Sequence, residues 1–397
     1  MQTKRFLGLN GTKLQIAIGF LAGMDFLLFG YDQGVTGGLL TLTSFNKYFP
    51  SINTLDSYTE GWTQAEKNNQ STRQGITVAA YNLGCFAGSI PTIWIGNILG
   101  RRKAIFLGSF IMCIGAILQC TSYGLAQLVV GRLVTGFGNG INTSTVPTWQ
   151  SECCKSHRRG QMVMIEGAMI TCGITISYWI DFGLMFADPN EVAWRFPLAF
   201  QIFFAAIILG FVMFLPESPR WLILKGREEE AKEVLACLMG DETDELFIDT
   251  EFTAIKATVL EMAKGSFRDM FTMGEDRHFH RTMLAYVNQM FQQISGINLI
   301  TYYIPTLLES NTTMRSLEEM DRIFRKTTNV FNVVSVARTE PHMYGPNGEL
   351  LRTLDDVEDD AVRRASILNK ESKAHAQTHT QHTEKYSDGN TSEERSV

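Results

Sequence analysis

Charge is missing from long stretches of this chain. Residues 74–100, 104–131, 196–216 and 282–308 hold no Asp, Glu, Lys or Arg. A helix needs ~20 mostly apolar residues to cross a bilayer core, and a helix of a soluble domain carries a polar face. Runs of this length therefore exclude an ordinary soluble fold. Cysteine is sparse too. Cys85, Cys113, Cys120, Cys153, Cys154, Cys172 and Cys237 show no spacing of a disulfide framework or a zinc site. All are read as free thiols. A cleavable signal peptide is also lacking, because the first apolar stretch runs from about Leu14 to Leu42, too long for an h-region. That stretch is expected to act as an uncleaved anchor. No pattern of a hydrolase, redox enzyme, metal site or nucleic-acid binder is present. The expectation is a protein that is not an enzyme and needs no cofactor or metal.

What is present is distributed unevenly. The 397 residues are 45% apolar and carry a net charge of −6, and the mean hydropathy is near zero. Both means average very apolar runs with polar segments, so neither is informative alone. Seven spans are predicted at roughly 14–41, 74–97, 104–121, 125–149, 162–186, 195–215 and 282–308. The link between spans 2 and 3 carries Arg101, Arg102 and Lys103. The link between spans 4 and 5 carries Lys155, His157, Arg158 and Arg159. The positive-inside rule puts these links and the N-terminus in the cytoplasm. The polar link 43–73 then lies outside, where its glycosylation sequon Asn69-Gln70-Ser71 belongs. The expected organisation is a cytoplasmic segment 1–13, a six-helix membrane half 14–215, a cytoplasmic linker 216–281, span 7 at 282–308 and a polar tail 309–397.

The linker holds two amphipathic patterns. Residues 227–239 place Ala231, Val234, Leu235 and Leu238 on one face, and 249–264 do the same with Phe252, Ile255, Val259 and Met262. Their acidic polar faces disfavour anionic lipid, so their apolar sides are expected to pack on the inner mouth of the bundle. The tail beyond about Asp321 has a disordered composition, and its His375, His379 and His382 read as solvated residues.

Charges inside spans are costly, so each is a functional candidate. Span 1 holds Asp25 and Asp32, span 4 holds Arg132, and span 5 holds Glu166 and Asp181. An acid and an arginine from different spans lower each other's cost by pairing, and Asp32 with Arg132 is the favoured pair. Protonating Asp32 would break it, which is a coupling mechanism for proton-driven transport; a fixed structural ion pair is the alternative. Span 7 is rich in amides: Gln289, Gln292, Gln293 and, beyond Gly296, Asn298. Amides both donate and accept, which suits the hydroxyls of a sugar or polyol; hydrogen bonding between helices is the alternative. In span 4, Gly136 and Gly140 form a G-x-x-x-G spacing for close helix approach.

The segments FGYDQGVTGG (29–38), GRLVTGFGNG (131–140), Ser151 to Gly160, PESPRWL (216–222) and QQISGIN (292–298) resemble the sugar porter family of the major facilitator superfamily, of fungal type, in the family's order and spacing. The resemblance implies an all-α membrane protein with the major facilitator-type helical bundle. It would comprise an N-terminal six-helix half plus helix 7, and an incomplete C-terminal half. It also implies alternating access about a midplane site, with a sugar and protons as partners, in a multi-pass plasma-membrane protein. By resemblance Phe29, Gln292, Gln293 and Asn298 contact sugar, Asp32 and Arg132 couple protons, and Arg101, Arg102, Glu152, Arg158, Arg159, Glu217 and Arg220 gate the cytoplasmic side. Departures are visible. Asn97 stands where the family usually has an acid. Gly167 stands where a sugar-binding glutamine is frequent, and the preceding Glu166 is a candidate to replace that contact. Arg315 to Glu319 resembles the segment after the family's twelfth helix, directly after span 7, so helices 8–12 are expected to be lacking. The alternative functions are a membrane-embedded nutrient sensor, or a non-functional product of an incomplete gene model.

Overall fold

The computed structural model describes residues 6, 8–54, 56–59, 61–154, 158–240, 245–263, 271, 278–298 and 301–303. They fold as helices: α1 (Gly11–Leu39), α2 (Thr43–Tyr48), α3 (Asp56–Thr59), α4 (Gln64–Leu99), α5 (Arg101–Cys120), α6 (Leu125–Cys153), α7 (Arg159–Met185), α8 (Val192–Val212), α9 (Pro219–Leu224), α10 (Glu228–Met239), α11 (Glu245–Met262) and α12 (His278–Ile294). A short 3-10 turn follows α2 at Pro50–Ile52.

Among the described residues, five stretches are long and apolar enough to cross a membrane: Gly11–Leu39, Ala65–Leu99, Arg101–Cys120, Arg159–Met185 and Val192–Val212. They match predicted spans 1, 2, 3, 5 and 6. Helix α6 is as long as α1 but is diluted by Arg132, two Asn and several Thr and Gly. It packs against α4 and α5 along most of its length. The G-x-x-x-G spacing explains how. A Cβ on Gly136 would lie 2.2 Å from the Tyr81 carbonyl oxygen, and one on Gly140 would lie 2.1 Å from that of Cys85. Only glycine lets the α4 and α6 backbones approach this closely. A second glycine-lined seam joins α1 to α7, where a Cβ on Gly173 would lie 2.1 Å from the Leu27 carbonyl oxygen.

Two sequence expectations need correction. The link 43–73 was expected to be an extramembrane loop, but α4 begins at Gln64. A capping box starts it: Glu66 N–H donates to Thr63 Oγ1 at 3.4 Å and Thr63 N–H donates to Glu66 Oε2 at 2.8 Å. Charged and polar residues in its first turns hide this extension from a hydropathy reading. The sequon therefore lies on a helix, with Asn69 exposed and Gln70 buried against the Pro50 and Asn53 carbonyls. Span 7 is not one continuous helix in the described residues. Helix α12 ends at Ile294, Gly296 takes φ +79°, and helical backbone returns at Ile297–Asn298 and is present at Thr301–Tyr303. Positive φ is open to glycine at little cost and interrupts a right-handed helix there.

At the basic end, α10 buries Ala231, Val234, Leu235 and Leu238, and α11 buries Phe252 and Val259. These are residues of the amphipathic faces. Gln15 Nε2 of α1 donates to the Leu238 carbonyl at 2.8 Å, which fastens α10 to the first span. The tail expectations, including those for His375, His379 and His382, fall outside the described residues, as does Pro305.

Candidate functional site

Two polar regions emerge from this packing. The first lies inside the bundle, around Asp32. Its side chain is fully buried, and Oδ1 accepts a 3.0 Å hydrogen bond from Gln201 Nε2 of α8, while Oδ2 has no partner. Arg132 of α6 is buried as well, with its guanidinium 5.7 Å from the centre of the Tyr81 ring. Its Nε and one terminal nitrogen have no acceptor. The expected direct Asp32–Arg132 pair is therefore not closed. The Arg132 charge acts on Asp32 from a distance, and the buried Tyr81 hydroxyl sits near both without reaching hydrogen-bond geometry. The physical reason is competition: Gln201 supplies Asp32 with a donor, and the Tyr81 face supplies Arg132 with a cation–π contact. Phe29 is half-buried and stacks on Tyr81, centroids 6.5 Å apart. Beyond the Gly296 break, Tyr302 is buried and donates to Asn82 Oδ1 of α4 at 3.2 Å. Tyr178 of α7 donates to the Thr301 carbonyl. Thr301 and Tyr302 thus dock on α7 and α4 beside this cluster.

The remaining candidates for sugar contact are placed differently. Gln292 and Gln293 are exposed on α12, which buries no described side chain. Asn298 Nδ2 donates back to Gln293 Oε1 at 2.6 Å, so these amides bond one another. Glu166 is buried on the α1-facing side of α7 with Oε1 unpartnered, while the neighbouring Gly167 faces open space. Sequence reasoning missed Gln201, Tyr81 and Asn82. Gln201 carried a usable signal, as the one amide side chain in the uncharged run 196–216.

The second region is the basic end. Arg101 binds Glu152 through two bonds of 3.1 Å each, the bidentate geometry that makes arginine–carboxylate pairs strong. Glu217 accepts the backbone N–H of Arg101 at 2.9 Å and that of Arg102 at 3.3 Å, and lies 3.6 Å from Arg102 Nε. It therefore caps α5, placing its negative charge at the positive end of the helix dipole. The approach passes over Gly100 at φ +88°, where a Cβ would lie 2.8 Å from Glu217 Oε2. Arg102 also donates to the Met213 and Leu215 carbonyls. Trp221 Nε1 donates to the carbonyl of Asn97, the position where an acid was expected. Arg159 Nε donates to the Ser151 carbonyl at 2.9 Å. With Arg220 and Glu152, Arg159 lines a cavity of about 400 Å³ between the helix ends and α9–α11. Arg158 sits at the start of α7, and neither it nor Arg220 has an acidic partner in this network.

At the opposite end Asp188 caps α2, accepting Thr43 N–H at 3.0 Å, Ser44 N–H at 2.9 Å and the Thr43 hydroxyl. Partial burial pushes its carboxyl up, but the bonds from Ser44 and Thr43 outweigh this and hold it below the usual carboxylate range. Beside it Arg195 lies over Trp194, 4.3 Å from the ring centre, and Phe45, Tyr48 and Phe49 enclose the indole.

The family model described as "Sugar (and other) transporter" matches residues 18–339. The chain belongs to this sugar transporter family. It is 40% identical over 314 residues to the major facilitator superfamily transporter mfsA of Aspergillus fumigatus, covering 77% of this chain and 57% of that protein. It is 39% identical over 306 residues to the sugar transporter STL1 of Saccharomyces cerevisiae, covering 76% and 52%. The chain thus spans just over half the length of these relatives. Among solved structures it is similar to the E. coli proton:xylose symporter XylE bound to 6-bromo-6-deoxy-D-glucose. The TM-score is 0.64 at 23% identity, over 83% of this chain and 70% of that one, and the likeness carries the fold. The sugar transporter family and the apolar helices together make the chain a multi-pass membrane protein of the major facilitator type, and a transporter-family member instead of an enzyme.

Proposed function

We propose that these helices serve proton-coupled transport of a sugar or polyol-like solute by alternating access, in the plasma membrane. The observation that carries this reading is the Asp32 cluster. A buried carboxylate and a buried guanidinium stand close enough to interact, yet each keeps an unpartnered polar atom. A buried charge left incompletely paired costs several kcal/mol, and that cost selects for a group with a task. Binding and releasing a proton at Asp32 changes the hold on Arg132, Tyr81 and Tyr302, and so ties protonation to the position of the segment after Asn298. Phe29, Gln292, Gln293, Asn298 and Glu166 are the proposed solute contacts. Arg101, Arg102, Glu152 and Glu217, with Arg158, Arg159 and Arg220, are the proposed cytoplasmic latch that opens and closes in each cycle. The likeness to a sugar transporter of yeast and to the fold of a proton:xylose symporter supports the solute class.

The test is uptake of labelled sugars and polyols into proteoliposomes carrying this chain, with and without an imposed proton gradient. Gradient-driven accumulation above that of empty vesicles is expected, and Asp32→Asn is expected to abolish it while leaving solute exchange. Accumulation in the Asp32→Asn protein equal to that of the parent would remove Asp32 from coupling.

A further inference from the structure

The α1–α7 seam holds a pair of acids that the Asp32 cluster does not use. Asp25 of α1 is 1% exposed and Glu166 of α7 is 4% exposed. Asp25 Oδ1 accepts a 2.7 Å hydrogen bond from Asn142 Nδ2, and the same amide nitrogen donates to Ser109 Oγ at 2.9 Å. Asp25 Oδ2 and Glu166 Oε1 have no partner, and α1 packs along α7 on both sides of Asp25, with Gly23 against Met169 and Gly30 against Ile170, on the turn of α7 that follows Glu166. The groups around Asp25 are thus Asn142 from α6, Ser109 from α5 and Glu166 from α7. Helices α8 and α10 also pack on α1, but they meet it at Tyr31, Asp32 and Gln15. No lysine or arginine stands among these contacts.

We propose that Asp25 and Glu166 form a second proton-binding site, distinct from Asp32 and placed about two helical turns, or about 10 Å, from it along α1. Two buried carboxylates without a cation cannot both ionise at bearable cost, and the simplest relief is one shared proton. The proton comes from water, forms an O–H bond at Asp25 Oδ2 or Glu166 Oε1, and returns to water when that bond breaks. Asn142 is the positioning residue: its single amide nitrogen, shared with Ser109, holds Asp25 Oδ1 and leaves Oδ2 free for the proton. Gly167, the residue next to Glu166, faces open space. The site binds its proton whether or not the chain moves sugar.

The experiment is an infrared pH titration of the purified full chain in lipid nanodiscs, following the carboxylic-acid C=O stretch of buried protonated acids in sodium-free and in sodium-containing buffer. One such band is expected to disappear in both Asp25→Asn and Glu166→Gln and to survive in Asp32→Asn, with its titration unaffected by sodium. Labelling aspartate with ¹³C at the carboxyl carbon in the unmutated chain guards against a variant that fails to fold. The label should shift the same band, wholly or in part. Persistence of every band in both variants would falsify the site. A band that titrates only when sodium is absent would overturn it in favour of a metal-cation site. Since no solute is present, failure here is distinct from failure of the transport reading.

Discussion

The basic end and the middle of the bundle hold similar residues in opposite states. At the basic end Arg101, Arg102, Glu152 and Glu217 pair with one another and bond several backbone groups, and only Arg102 Nε, 3.6 Å from Glu217, lacks a hydrogen bond among their described side-chain atoms. In the middle, Asp25, Asp32, Arg132, Glu166 and Asp181 each keep a buried polar atom without a partner. Satisfied charges hold helix ends in register and stabilise. Unsatisfied ones cost stability. The difference separates charges held in a paired network from charges left short of partners inside the bundle.

Glu217→Ala should give the largest effect on stability. It removes the α5 cap and strands Arg102, for an expected loss of ~2–3 kcal/mol by thermal unfolding in detergent followed by circular dichroism. A loss below ~0.5 kcal/mol would erase the contrast from its stable side. Next comes Asp188, which caps α2. Its folded-state carboxyl lies below the usual range, so its contribution is present above the unfolded value of about 3.9 and is lost as pH falls through the lower folded value. Asp188→Asn should cost ~1 kcal/mol near neutral pH and remove that part of the acid sensitivity. An unchanged pH profile would exclude the cap as its source. The smallest effect should have the reverse sign. Both Asp181 oxygens are buried without partners beside Gly38, so Asp181→Asn removes a costly ionisable group and should stabilise by up to ~1 kcal/mol. If Asp181→Asn and Glu217→Ala shifted the melting temperature in the same direction, the comparison would fail.

The long uncharged runs were legible as helices because a hydrocarbon-length apolar run has few alternatives. The glycine spacing of span 4 was legible as a seam for the same geometric reason. The first turns of α4 were not legible by hydropathy, although Thr63-Gln64-Ala65-Glu66 is a capping-box signal in the sequence itself. The buried acids stood out as charges inside spans, but their partners did not. Gln201 and Asn142 come from helices distant along the chain, and only packing decides which uncharged polar group reaches which carboxylate. For that reason charge complementarity named Arg132 for Asp32, and the fold supplied Gln201. Glu217 stood out by resemblance as a gating charge. Its capping of α5 requires the chain to return to the start of that helix after α8, which local sequence does not encode.

The tie from Gln15 to the Leu238 carbonyl joins two segments far apart in the chain and makes α10 a passenger of the first span. Were α1 to tilt, this tie would carry α10 with it, and fluorophores on those two helices would then report a fixed separation. Pairing one on α10 with a second on α12 would turn the linker into a pointer for the movement of the membrane half beneath it.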